Sequence, residues 1–521
     1  MADGRSGVEA DAGENFREPT AWLVAALFAA FVAIWTAYFT ISEVPTSIHN
    51  DMAEADAWGR EFQLGYNQHP PFWAWICGAW FAVFPRAGWA FAILSSLNAG
   101  IGLIGAWRLI GRFASGDKRS AATALLLLTP FYTFLAYKYN ANSIFLSIWP
   151  WTLYFFLRAI DGRAVRDAVL FGFLMGLALL SKYYALILAA TCLLAALQHP
   201  RRASYFASAS PYISALVAAA LCAPHLWWLA SSGAPPLRYL SRISGRDYGD
   251  VASYAATAFF GALAQNALVF AVVAFVARTP PREVLATIGA RWKQPQFRLL
   301  TVLAATPLVL TVLAGFALRN KVSTNMLIGT FSLAPLLAIE IAGARRIARL
   351  RSVAASLAAA LTLGALVASP AVALARAWFS HDINDVQPRK ELAEAATRLW
   401  REATDRPLAY VAGTAFYDNG VAFYSPDRPH AFVDFDYFRN RWVTPQALAD
   451  TGLLSVCVAG DAACLAATAL FATPQATRTQ IMLAHNALGH EGKPVEFVVT
   501  VIPPRALAPR GGRISTNRPL P

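Results

Sequence analysis

Charged residues make up only 14% of this 521-residue sequence, while 57% of it is hydrophobic, including 33 Phe and 16 Trp. A soluble chain of this size could not hide so much apolar surface, so the composition points to a polytopic membrane protein. The sequence also has no Gly-rich phosphate loop, no zinc-spaced Cys/His cluster and no nucleic-acid signature. The formal charge of +13 therefore does not argue for a nucleic acid partner. Most of the excess sits in short loops between apolar runs, where the positive-inside rule accounts for it. There is no internal repeat of the kind on which many secondary transporters are built. Residues 1–20 lack a signal-peptide n-region, so the first apolar run reads as a retained helix. Cysteine is scarce. Cys77, Cys192 and Cys222 fall in apolar segments and read as inert core. Cys457 and Cys464 share a later polar stretch, where a loop of this length could close as a disulfide, although spacing alone does not show it.

What is abundant is apolar sequence in runs of about 20 residues, the length that crosses a bilayer. Such runs cover 21–41, 88–111, 120–137, 143–158, 206–230, 252–277, 299–317, 324–343 and 352–375. Residues 167–197 form one longer run, broken at Ser181-Lys182-Tyr183-Tyr184 and read as two short spans with the lysine at the turn. Eleven spans place every basic loop on the cytoplasmic side. Residues 1–20 are then a cytoplasmic tail, and 21–377 a transmembrane domain with a first outer loop at 42–87. Phe72–Phe84 reads as a short helix lying in the outer interface. From 378 to 502 the composition is that of a small extracytoplasmic α/β domain. Its expected elements are an amphipathic helix at 388–403 and strands at 408–413, 453–458 and 495–501. The Pro-, Arg- and Gly-rich tail 503–521 reads as disordered.

The unusual polar residues collect on the outer side. Asp51, Glu54, Asp56, Arg60, Glu61 and His69 crowd between the first apolar run and a Trp/Phe segment, where ionisable groups are costly. On a helix, Asp51, Glu54 and Arg60–Glu61 recur on one face. Tyr66 and His69-Pro70-Pro71 then turn the chain. A second group is Lys138-Tyr139-Asn140-Ala141-Asn142, and a third is Lys182 with Tyr183. His225, at the end of another span, is a further candidate contact for a metal or a phosphate. The plainer readings are a solvated loop held by an ion pair, snorkelling lysines, an asparagine cap and an interfacial histidine. Acids in the first loop with cations around them suit a substrate with an anionic head and a lipid tail. A carboxylate could act as general base while a lysine holds a phosphate leaving group as a point charge.

These motifs resemble the bacterial members of glycosyltransferase family 39, the protein O-mannosyltransferase-like and lipid A aminoarabinose transferase-like group. The resemblance is carried by Asn50-Asp-Met-Ala-Glu54, Trp58-Gly-Arg-Glu-Phe62, Gly65-Tyr-Asn-Gln-His-Pro-Pro71, Lys138-Tyr-Asn-Ala-Asn142, Trp149-Pro150 and Ser181-Lys-Tyr-Tyr184. It covers residues 20–230 well and the later spans by layout. It implies the GT-C fold and transfer of a sugar from a polyprenyl-phosphate donor to an envelope lipid, glycan or protein acceptor outside the bacterial inner membrane, with a periplasmic C-terminal domain. By resemblance Asp51 is the catalytic aspartate and Glu54 the second acid. Lys182, with Arg60 and Lys138, would meet the donor phosphate. Tyr66, His69, Asn140, Asn142, Tyr183 and His225 would line the substrates. Several relatives carry an acid where this chain has Asn140 or Asn142, which bears on any divalent metal ion at that second polar site. A polytopic secondary transporter and a membrane assembly protein are the alternatives from other classes.

Overall fold

A computed structural model describes residues 20–379 and 387–504; both expected tails fall almost entirely outside the described residues. The first apolar run forms α1 (Ala21–Ser42), opened by Thr20, whose hydroxyl accepts the Leu23 N–H at 3.3 Å. The outer segment that follows holds α2 (Asn50–Gly59) and α3 (Phe72–Val83) before α4 (Gly88–Ile110). Gly59 and Gly78 let α2 press directly on α3. A Cβ at Gly59 would stand 2.4 Å from the Ala74 carbonyl oxygen, and one at Gly78 would stand 2.2 Å from that of Gly59.

The run 120–137 is not one span. Helix α5 (Gly116–Leu126) stops early, and the chain runs through turns to α6 (Phe145–Gly162). Pro130 supplies the reason, since it lacks an N–H and disfavours helix before it. Thr129, Thr133 and Tyr139 in this stretch are at most 1% exposed. Non-helical backbone at such a place is tolerated when protein surrounds it. The run 167–197 does split into α7 (Val165–Leu179) and α8 (Ala185–Gln198), with Lys182 in the turn.

Beyond the short α9 (Arg202–Phe206) come α10 (Ser210–Ser231) and α11 (Pro235–Ile243). The run 252–277 becomes α12 (Tyr248–Gln265) and α13 (Ala267–Ala277), bent by 50° at Asn266. Helices α14 (Pro281–Arg291) and α15 (Pro295–Ala317) follow. The run 324–343 is two 3-10 turns and the nine-residue α16 (Ala334–Ala342), and α17 (Ile347–Phe379) extends over 33 residues. Among the described residues, five helices are long and apolar enough to cross a membrane, and the bent pair makes six. The chain is a multi-pass membrane protein. The expectation of eleven counted apolar runs whose helices are too short to cross alone.

Residues 387–504 build a five-stranded sheet in the order β2-β1-β3-β7-β4. Its strands are β1 (Tyr410–Gly413), β2 (His430–Ala431), β3 (Leu453–Val458), β4 (Thr477–Leu483) and β7 (Val495–Ile502); β5 (Asn486–Ala487) and β6 (His490–Glu491) form a separate ladder. Strands β2, β1 and β3 are parallel, and β7 runs antiparallel to both β3 and β4. The helices are α18 (Arg389–Ala403), α19 (Tyr417–Tyr424), α20 (Pro445–Thr451) and α21 (Ala462–Phe471). A disulfide joins Cys457 on β3 to Cys464 on α21.

This unit is fastened to the membrane helices at α2 and α3. Phe423 of α19 sits 5.6 Å, centroid to centroid, from both Phe81 of α3 and Phe91 of α4. The Tyr424 hydroxyl accepts the Ile48 N–H at 2.9 Å, and the buried Arg389 donates to the Ile48 carbonyl at 2.7 Å. The approach to α2 is therefore held by residues more than 340 positions away.

Candidate active site

Helix α2 begins where the His49 ring accepts the Asp51 N–H, so Asp51 lies in its first turn. Three segments meet there. Asp51 Oδ2 accepts from Asn140 Nδ2 at 2.9 Å. Asn140 folds its own turn, its Oδ1 accepting the N–H groups of Asn142 and Ser143. Asn142 Oδ1 in turn accepts from Lys182 Nζ at 2.6 Å. These bonds make one run from a carboxylate to a cation, the link between the two asparagines passing through the Asn142 backbone N–H.

Lys182 lies in the α7–α8 turn, where burial pushes its ammonium down to about 8 and the charge of Asp51 opposes that fall. His69 is held neutral. Burial first, and Lys182 second, press its pKa down to about 3. Its ring packs edge-on to Trp58 and Trp73. Glu54 lies one turn along α2 from Asp51. Burial first, then the charges of Asp51 and Asp418, raise its carboxyl to about 8, with Arg439 working against them. At neutral pH Glu54 is mostly a hydrogen-bond donor, whereas Asp51, its side chain 44% exposed, is open to an incoming group.

Other candidates are placed elsewhere. Arg60 is engaged elsewhere. Its guanidinium bonds the fully buried Asp56 at 3.0 Å and the carbonyls of Ala422, Arg428 and Pro429. The ion pair expected of this loop is thus made with Asp56, which Arg86 also meets at 2.9 Å. Tyr66 is buried, donating to the Trp58 carbonyl at 2.6 Å and stacking on the Trp58 ring. His225 is engaged at both ring nitrogens. Nδ1 faces the Leu64 carbonyl at 2.7 Å, so it carries the proton, and Nε2 accepts from the Tyr183 hydroxyl at 3.0 Å. The histidine braces Tyr183 beside Lys182 and offers no free nitrogen to a metal. Lys138 makes no side-chain hydrogen bond or ion pair among the described residues and is half-buried.

The sequence reading missed the contribution of residues 387–504. Asp418 is fully buried on α19, with Oδ1 accepting the Asn419 N–H and Oδ2 unpartnered. Burial lifts its carboxyl to about 8. Nothing in its local sequence marks it, since it is a single acid on an eight-residue helix. Among the described residues no three His, Cys, Asp or Glu are grouped to hold a metal ion.

Residues 68–228 match the family described as dolichyl-phosphate-mannose-protein mannosyltransferase. The matched segment contains His69, Lys138 to Asn142, Lys182, Tyr183 and His225, and it begins after Asp51 and Glu54. The chain is 28% identical over 322 residues to the lipopolysaccharide core galacturonosyltransferase RgtB of Rhizobium johnstonii, a match that spans 58% of this chain and 62% of RgtB. Its fold is that of ArnT from Cupriavidus metallidurans. The crystal structure bound to undecaprenyl phosphate superposes with a TM-score of 0.60 at 14% identity, over 95% of this chain and all of that one. The apo crystal structure gives 0.59 at 14% identity, over 91% and 98%. The resemblance read from the sequence, and the GT-C fold it implied, are borne out.

Proposed function

We propose that the protein is an integral-membrane glycosyltransferase that moves a hexosyl or pentosyl group from a polyprenyl-phosphate donor to an envelope acceptor. The observation that carries this reading is the hydrogen-bonded run Asp51–Asn140–Asn142–Lys182. It holds a part-exposed carboxylate and a cation in fixed relation at one site. An acceptor hydroxyl attacks the anomeric carbon of the donor sugar and gives its proton to Asp51. The bond from that carbon to the phosphate oxygen breaks, and its electron pair leaves with the polyprenyl phosphate. Lys182 meets the phosphate, and a partly desolvated ammonium gains most from an anionic partner. Neutral His69 packs beside it without adding competing charge. Attack from the side opposite the leaving group inverts the anomeric centre.

The acceptor we favour is an envelope glycolipid, with a glycan or protein acceptor as the other outcomes. RgtB, by its description, acts on the lipopolysaccharide core, and ArnT has been crystallised with a polyprenyl phosphate. The site would face the periplasm from the inner membrane, because the basic loops lie at the opposite ends of the helices. The test is mass analysis of envelope glycolipids and glycoproteins with and without the gene, followed by transfer with purified protein and a polyprenyl-phosphate sugar. Loss of one sugar from a glycolipid, restored by the purified protein, is expected. An unchanged envelope and no transfer from any polyprenyl-phosphate sugar would overturn the reading.

A further inference from the structure

The end of the bundle that carries Asp51 also carries basic residues that the positive-inside rule leaves unexplained. On α11, Arg238 and Arg242 stand four residues apart on one face, and both are exposed. Helix α10 leads into α11 past His225, which faces the Leu64 carbonyl, and past Trp228, whose ring would stand 2.3 Å from a Cβ at Gly65. The α10–α11 turn is therefore on the same side as the loop that follows α2.

A third arginine arrives from residues 387–504. Arg441 is exposed and donates to the Ser232 carbonyl at 2.5 Å, in that same turn. Phe438, three residues earlier, carries both guanidinium groups on its ring. Arg238 stands 4.9 Å from the ring centroid and Arg441 5.4 Å. Gly233 makes the approach possible. Its φ is +73°, and a Cβ there would meet Arg238 Nη2 at 3.1 Å.

None of the three arginines makes an ion pair among the described residues. The acids around them serve elsewhere. Arg439 bonds Asp434 and reaches Asp436 at 3.7 Å. Asp247 caps α12 by accepting the Gly249 N–H at 2.7 Å, and Asp250 stands in the first turn of that helix. One arginine on Phe438 would suffice to fasten the two units at this seam. A second like charge on the same ring is repelled by the first, and Arg242 adds nothing to the packing there. The arrangement is that of cations gathered for an anion.

We propose that Arg238, Arg242 and Arg441 hold a phosphate monoester on the acceptor glycolipid, an inference that rests on the glycosyltransferase reading above. A phosphate monoester carries about −1.5 to −2 charges at neutral pH. That answers several guanidiniums better than the single charge of a carboxylate, and its oxygens accept paired N–H bonds from each fork. The anchor lies beside the helix that bears Asp51. Trp442, next to Arg441, meets the Tyr66 ring edge-on at 6.4 Å, and Tyr66 stacks on Trp58 of α2. Both structural units thus grip the acceptor.

The test uses purified full-length protein in detergent micelles with a synthetic diacyl disaccharide carrying one phosphate monoester, or the same glycolipid without it. Native mass spectrometry counts the retained glycolipid. One phosphorylated molecule per protein is expected, with about tenfold lower occupancy by the neutral form, the size of a lost charged hydrogen bond. Arg238→Gln with Arg441→Gln should lower occupancy to the neutral level. Should that pair fail to fold, Arg242→Glu, at an exposed side chain outside the seam, is read in its place and should lower it as far. Lys321→Gln, which removes an exposed cation of the same end, should leave it unchanged. Sugar release to water from a polyprenyl-phosphate sugar by the parent protein tests the underlying reading separately, and its absence would overturn that reading. With sugar release intact, equal retention of the two glycolipids, parental occupancy in the arginine variants, an equal loss in Lys321→Gln, or displacement of the glycolipid by equimolar inorganic phosphate would each overturn the present inference alone.

Discussion

Two aspartates five residues apart on α2 meet opposite fates. Asp56 is fully buried between two guanidiniums, at 3.0 Å from Arg60 and 2.9 Å from Arg86. Asp51 is 44% exposed and leans on a neutral amide that relays to Lys182. A carboxylate met by two guanidiniums in a closed site serves the fold. One that keeps an open side and a weak partner stays within reach of a substrate. On the mechanism proposed above, that difference separates a structural from a chemical role on a single ten-residue helix.

The sharpest test of that difference is Asp51→Asn, which keeps shape but cannot accept the proton. It should lower the transfer rate by about 10²–10⁴-fold while leaving the melting temperature of the purified protein unchanged. Near-normal turnover would remove Asp51 as the base. Asp56→Asn should do the reverse. It strands two part-buried arginines, and the expected destabilisation is about 3–5 kcal/mol, read from denaturation, with the activity of the remaining folded protein intact. A variant as stable as the parent would erase the contrast between the two acids.

Lys182→Met should lower kcat/KM for the donor by about 10–100-fold, the size of a lost charged hydrogen bond, without disturbing insertion. Normal kinetics with a polyprenyl-phosphate sugar would take Lys182 out of the site. The smallest effect concerns pH. Glu54 and Asp418 are both raised to about 8, from ordinary values of 4.5 and 3.8. The folded protein therefore keeps protons that the unfolded chain releases, so stability falls as pH rises from about 4 through 8. Asp418→Asn removes one of the two groups, and the fall in melting temperature between pH 5 and pH 8 should become shallower. An unchanged slope would show that Asp418 does not titrate there.

The sequence made the local motifs legible because each announces itself. Lys138 to Asn142 and Ser181 to Tyr184 are polar interruptions in apolar sequence, and Asp51 begins a helix just past a span. Their joining through Asn140 and Asn142 was not legible, since the amide partners are 40 and 89 residues away. The partner of Arg60 was near at hand and went unread. Asp56 sits four residues before it, the spacing of a helical ion pair, but Asp51 and Glu54 drew the face argument instead. The runs 120–137, 252–277 and 324–343 read as spans because apolar content does not distinguish a continuous helix from broken backbone packed inside protein. Asp418, Arg439 and Arg389 reach α2 only through the tertiary fold, so no periodicity could have found them.

The tie between Ile48 and Tyr424 has a consequence for biogenesis. The two residues are 376 positions apart, and ribosomes add about 5–20 residues per second. The entrance to α2 must therefore wait on the order of 20–75 s after its own synthesis before its backbone partner exists. Until then the nascent membrane helices carry an unfinished loop, and a truncated product that stops before α19 could insert in the bilayer yet never set Asp51 in place.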